Sequence, residues 1–150
     1  MNFDPYNGSH FTLGANEYFE YSVGDGNWTR FTGTIENVAF GGSKGELRLR
    51  GKSSKGTADD SINYCYVGFG DSSPVKCYGD IRTLVDYKNY STTNTDNVRF
   101  TSLFDGCKAL ISAPELPSTN LASYCYRWMF KDCSSLTAAP ALPAPTLAHL

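Results

Sequence analysis

The chain has 150 residues, with 13 Lys+Arg against 15 Asp+Glu, a net charge of −2 and a pI near 5.6. That balance leaves no basic stripe to neutralise phosphates, which argues against nucleic-acid binding. No apolar run approaches the ~18 residues that span a bilayer, which argues against membrane insertion. Residues 1–13 have neither the basic start nor the apolar centre of an export signal, so the expectation is either a signal trimmed upstream or delivery within a virus particle.

Residues 10–81 follow period 2 and are rich in aromatic and β-branched side chains broken by Gly-containing turns. In YFEYSV, Phe19, Tyr21 and Val23 share one face, and Tyr18, Glu20 and Ser22 the other. The Asp25-Gly26 pair tolerates positive φ, and the alternation resumes at Trp28 to give a hairpin. Further strands are expected at 35–40, at 46–50 with Leu47 and Leu49 inward, at 62–69 and at 75–81. Six or so short strands of this spacing predict a small antiparallel β-sandwich or open barrel over residues 1–87. The last two strands flank GDSSP, and a turn centred near Asp71 leaves open either a Cys65–Cys77 disulfide or two packed thiols. Residues 52–61 contain no apolar side chain but Ala58 and read as an exposed loop; the equally polar 88–97 reads as a linker.

The rest of the chain, 98–150, is written partly twice. LFDGCKALISAPELPSTNLASY is followed 26 positions later by MFKDCSSLTAAPALPAPTLAHL, with nine identities in 22 pairs. A period of this length marks a unit that buries its apolar face only by stacking on a neighbour. Leu121, Cys125 and Met129 stand four apart, predicting a short helix that Ser118, Thr119 or Asn120 caps. Pro140 and Pro143 exclude helix and central strand from LTAAPALP, leaving extended chain. The expected repeat core is Cys107, Leu110, Ala113, Leu116 and Leu121, with the copies Cys133, Leu136, Ala139, Leu142 and Leu147. With five cysteines at least one thiol is unpaired, and Cys107 and Cys133 share the apolar phase, so they read as small buried hydrophobes.

These phrases resemble the repeats of BspA-like leucine-rich-repeat surface proteins of gut Bacteroidales, whose units are similar to MFxxCxxLxxAPELPATTLAxxCYxx. The order of parts upstream, with YSVGDGNWTRF, CYVGFG and VKCYGDI, is similar in layout. The resemblance implies a mainly β chain with short helices, in which the β domain precedes the first turns of a leucine-rich-repeat solenoid. It further implies a non-enzymatic protein of the bacterial surface or extracellular space that adheres to host protein, matrix or glycan. Similar repeats on phages of gut bacteria imply the alternative of a virion structural or receptor-binding protein. About two units are present where family arrays run longer, so a continuation of the array or an oligomeric partner is expected over the open C-terminal edge.

Signs of catalysis are weak. His10 and His149 stand at opposite ends of the sequence without a third group to orient either, and Asp59, Asp60 and Glu115 form no paired acid/base signature. Zinc spacing is absent, DGN at 25–27 is a turn, and GGSKG lacks the spacing of a phosphate loop. No cofactor or metal is expected. The binding surface is expected among Tyr18, Trp28 and Arg30 on the first hairpin, and Tyr124, Tyr126 and Arg127 on the outside of the repeat helix.

Overall fold

A computed structural model describes all residues except 6, 17, 60–62, 71–72 and 147–150, as well as the side chains of residues 15 and 16. The chain is mainly β, 36% strand against 7% helix, and the helical part described is confined to 3-10 turns at Gly42–Lys44, Ile81–Leu84 and Tyr90–Thr92. The strands are β1 (Asn2–Pro5), β2 (Ser9–Asn16), β3 (Phe19–Val23), β4 (Thr29–Arg30), β5 (Gly33–Phe40), β6 (Leu47–Gly51), β7 (Tyr66–Phe69), β8 (Val75–Tyr78) and β9 (Leu110–Ser112). They form a six-stranded sheet of order β4-β3-β6-β1-β8-β9 and a three-stranded sheet of order β5-β2-β7, neither closed into a barrel.

Alternation decides which side of each strand is buried. On β6, Leu47 and Leu49 are no more than 1% exposed while Arg48 and Arg50 face the other way. The expected hairpin forms, with Glu20 opposite Arg30 and Tyr21 opposite Thr29. β1 carries a single interior apolar residue, too little for a periodic signal, yet it lies between β6 and β8 with Phe3 fully buried.

Three expectations are corrected. The segments flanking GDSSP do not form a hairpin: β8 is paired on both sides, by β1 and β9, and β7 joins β2 in the other sheet. Cys65 and Cys77 are accordingly buried thiols, and the Asp71 turn centre lies outside the described residues. The strand expected to reach residue 81 stops at Tyr78; Asp80 then caps the Ile81–Leu84 turn by accepting from Arg82 N at 2.9 Å. Residues 52–61 are not an exposed loop throughout. Thr57 and Ala58 are fully buried, because Gly56 bridges Arg99 and the Thr57 amide donates to Arg99 O at 2.9 Å. Backbone pairing buries a segment that its side chains would not.

The repeat units lie in register over one another without helix. Along 122–133, alternate amides close short turns: Cys125 to Ala122 O, Arg127 to Tyr124 O, Met129 to Tyr126 O, Lys131 to Trp128 O and Cys133 to Phe130 O, at 3.1–3.2 Å. The carbonyls of Cys125, Arg127, Met129 and Lys131 accept from the amides of Phe100, Ser102, Phe104 and Gly106 in the preceding unit, at 2.7–3.0 Å. Rings 26 residues apart stack, Phe100 on Tyr126 at 6.2 Å and Phe104 on Phe130 at 5.7 Å. Every fourth residue of the second unit is left-handed: Tyr124, Trp128 and Asp132, at φ 62°, 53° and 57°. Ser102 and Gly106, equivalent to the last two, are left-handed as well. The expected helix is thus replaced by a chain of turns. Of its stripe Cys125 and Met129 are buried and Leu121 half-buried, and Cys133, four residues further on, is buried as well, because one left-handed residue per four returns the chain to the same side as a helical turn does.

Buried side chains from Met1 to Cys133 form one contiguous cluster. Phe3 of the six-stranded sheet meets Phe69 of the three-stranded sheet at 5.5 Å and Phe104 of the first repeat unit at 6.0 Å. The polar stretch 88–97 lies against the repeat, with Thr95 Oγ1 donating to Asn120 O at 3.0 Å.

Candidate functional site

The outer face of the six-stranded sheet carries a group of half-buried aromatic and cationic side chains. In register, Arg30 stands opposite Glu20, Glu20 opposite Arg50, and Ser22 opposite Arg48. Residues 24–28 fold back across this face. Ser22 Oγ donates to Gly26 O at 2.7 Å and accepts from Arg48 Nη2 at 2.9 Å, which leaves Ser22 only 1% exposed. The same fold-back sets the half-buried Trp28 ring 5.0 Å from the Arg48 guanidinium and 4.1 Å from that of Arg50. Tyr87, whose backbone N–H donates a hydrogen bond to Gly51 O at 3.1 Å, sets a second ring 4.3 Å from the Arg50 guanidinium. Arg50 Nε donates to Glu20 Oε1 at 2.9 Å, Lys52 stands 3.5 Å from Asp86, and Lys88 lies 5.9 Å from the Tyr87 ring. Arg30, Arg48, Arg50, Lys52 and Lys88 share this region with Glu20 and Asp86, while Glu46 and Asp4 lie on the same face around Tyr78, beside Arg48.

A second pile stands on the turn side of the repeat. Arg127 lies between Tyr124, at 5.2 Å, and Trp128, at 4.1 Å. Trp128 is half exposed, Tyr124 is exposed, and both hold left-handed backbone.

Arg82 offers a contrast. Its Nε and Nη2 engage both oxygens of Asp80 at 2.7–3.2 Å, and its Nη1 donates to Ser91 O at 3.3 Å. The hydrogen bonds to Asp80 raise the guanidinium pKa above its ordinary value, against burial, which lowers it, and the carboxylate charge adds to the rise. Arg82 is tied up structurally, at one end of an open polar groove of about 470 Å³ lined also by 91–96 and 117–120. A shallower apolar trough lies where the proline-bearing segments 113–117 and 140–143 run side by side. Proline supplies no amide there, and among the described residues no backbone hydrogen bond joins the two.

The sequence-predicted residues separate into different environments. Trp28 and Arg30 belong to the cationic face, whereas Tyr18 is half-buried and packs against the core. Tyr124 and Arg127 are together, but Tyr126 is half-buried on Phe100, and burial pushes its phenol well above the usual range. In the repeat, Cys107, Leu110, Leu116 and Cys133 are buried, and Ala113, Leu121 and Leu136 half-buried. Ala139 and Leu142, expected to point into the stack, are exposed, with Leu142 at 50%. Leu147, His149 and Asp60 lie outside the described residues. Arg48, Arg50, Tyr87 and Trp128 were not among the expected contact residues. The first two follow from the alternation that puts Leu47 and Leu49 inside, but Tyr87 reaches Arg50 only through tertiary contact.

All five cysteines are buried thiols. Burial pushes Cys107 and Cys125 up to about 12, which opposes the thiolate that nucleophilic or metal chemistry needs. Among the described residues, no group of three or more His, Cys, Asp or Glu side chains is placed to hold a metal ion, and no helix is long and apolar enough to cross a membrane. No family model, curated protein or solved structure matches the chain.

Proposed function

We propose that the chain is a non-catalytic binding module of the BspA-like leucine-rich-repeat type, displayed at a bacterial surface or in the extracellular space, where it adheres to host protein, matrix or glycan. In this reading the two sheets make a small β-sandwich on which the repeats begin a solenoid. The 26-residue register supports that architecture, since the same amides, rings and left-handed positions recur from one unit to the next.

One observation carries the binding role: the Tyr124–Arg127–Trp128 pile. A half-exposed tryptophan in a left-handed conformation costs backbone energy of about 1–2 kcal/mol and forgoes the burial that would favour the fold. Trp, Tyr and Arg are the residues that concentrate binding energy at protein interfaces, because a large rigid ring or guanidinium contributes much contact for little lost entropy.

The test is an array of matrix proteins and glycans probed with the full chain. Binding is expected, and Trp128→Ala and Arg127→Ala should each weaken it at least tenfold while the thermal midpoint moves by no more than about 2 °C, as for an exposed contact. Tyr126→Ala is unsuitable for this purpose because it removes the stack on Phe100. Binding to nothing on the array, or turnover of a glycosidic substrate by the purified chain, contradicts the proposal.

A further inference from the structure

We infer that the outer face of the six-stranded sheet around Trp28, Arg48, Arg50 and Tyr87 binds an acidic polysaccharide, taking its carboxylate or sulfate groups on the in-plane edges of the two guanidiniums. The inference rests on the binding-module reading and names a ligand class and a site for it.

Donor accounting is the first reason. A guanidinium carries five N–H donors. Arg82 spends its own on Asp80 and Ser91 O. Among the described residues Arg50 donates through Nε, to Glu20, and Arg48 through Nη2, to Ser22. Arg48 Nε is buried with no hydrogen-bond partner among the described residues. Among the described residues Arg50 Nη1 and Nη2 and Arg48 Nη1 therefore keep their donors unpaired, whereas Arg82 engages all three of its nitrogens.

Orientation is the second. The Arg50 guanidinium lies over the rings of both Trp28 and Tyr87, at 4.1 and 4.3 Å, and that of Arg48 lies 5.0 Å from Trp28. Rings on the faces of a guanidinium leave its edge for hydrogen bonding, and that edge matches the two oxygens of a carboxylate or sulfate. Ring packing and the bonds to Glu20 and Ser22 also fix both side chains before any ligand arrives, which lowers the entropy lost on binding.

Charge and spacing select a polymer over a single ion. Arg48 and Arg50 are two residues apart on one strand, about 7 Å, and Arg30 stands two strands from Arg50, about 10 Å. Lys52 and Lys88 extend the same region beyond Arg50. A flat array of donors with aromatic edges suits saccharide rings bearing periodic anions.

The full chain is titrated with heparin, polygalacturonate, neutral dextran and poly-glutamate, following Trp28 fluorescence in the Trp128→Phe background and repeating by calorimetry. Heparin or polygalacturonate is expected to bind, with affinity falling as salt rises, and dextran not to bind. Arg48→Gln/Arg50→Gln should weaken binding at least tenfold with the thermal midpoint retained, and Lys131→Gln should leave it unchanged. Arg48→Lys/Arg50→Lys keeps the charge but loses the fork, and should still weaken binding about fivefold. Absence of acidic-glycan binding by the folded chain, equal binding of poly-glutamate, or full affinity in the lysine variant overturns the inference. Array binding of neutral glycans or proteins that is indifferent to Arg48 and Arg50 overturns it too, while leaving the binding-module reading intact.

Discussion

Phe104→Ala tests whether sheets and repeats share one core. Phe104 is fully buried and belongs by sequence to the first repeat unit, but its ring meets Phe3 of the six-stranded sheet at 6.0 Å and Phe130 of the second unit at 5.7 Å. Truncating a buried phenylalanine costs about 3–5 kcal/mol, since the transfer free energy is lost and the cavity closes only in part. At about 2–4 °C per kcal/mol for a chain of this size, the midpoint should fall by about 6–20 °C. The chain has two tryptophans, Trp28 beside the sheet and Trp128 in the repeat, so Trp28→Phe and Trp128→Phe versions each report one part. In urea both reporters should unfold together, before and after Phe104→Ala. If the Trp128 midpoint falls while that of Trp28 stays put, the two parts fold separately and the argument from a continuous core is wrong.

The left-handed ladder and the buried thiols give two further expectations. At Gly106, φ is +75° and a Cβ would meet nothing within 4 Å. Gly106→Ala should therefore cost about 1–2 kcal/mol from backbone alone, whereas Asp132→Gly, at the equivalent left-handed position, should leave stability level or raise it by up to about 1 kcal/mol; equal urea midpoints for Gly106→Ala and wild type would refute the ladder. Burial raises the Cys107 and Cys125 thiols from 9.0 to about 12. Above pH 9 the unfolded chain releases protons that the fold retains, so stability should fall with rising pH up to about 12, by as much as about 1.4 kcal/mol per unit for each thiol. Urea unfolding at pH 8 and pH 10 measures the slope, which Cys107→Ala should make shallower; an unchanged slope in that variant refutes the assignment. At pH 8 the native thiols should react slowly with a disulfide reagent, and all should react on unfolding.

Much of this was readable locally. The alternation around Leu47 and Leu49 identified an inward face and by implication an arginine face. The hairpin at 19–30 was expected, although its positive φ falls on Gly24 and not on the Asp25-Gly26 pair, and the duplicated phrase identified units that stack with a 26-residue offset. The expected stripe of Leu121, Cys125 and Met129 was recognisable as one side, with Cys125 and Met129 buried and Leu121 half-buried. Its backbone was not, because a helix and a chain of turns with a left-handed residue every fourth position both bring residues four apart to one side. Side-chain periodicity cannot tell them apart; the hydrogen bonds from Phe100, Ser102, Phe104 and Gly106 decide between them.

What the sequence determined by itself was therefore which side chains are apolar partners and at what period, since burial follows pattern one strand or one repeat at a time. The tertiary structure alone decided which segments pair. It placed the four residues of β1 in the middle of a sheet, split β7 from β8, folded Trp28 over two arginines and brought Tyr87 against Arg50. Those choices depend on contacts between residues tens of positions apart, whose free energies appear only when the chain has closed and which no local pattern encodes.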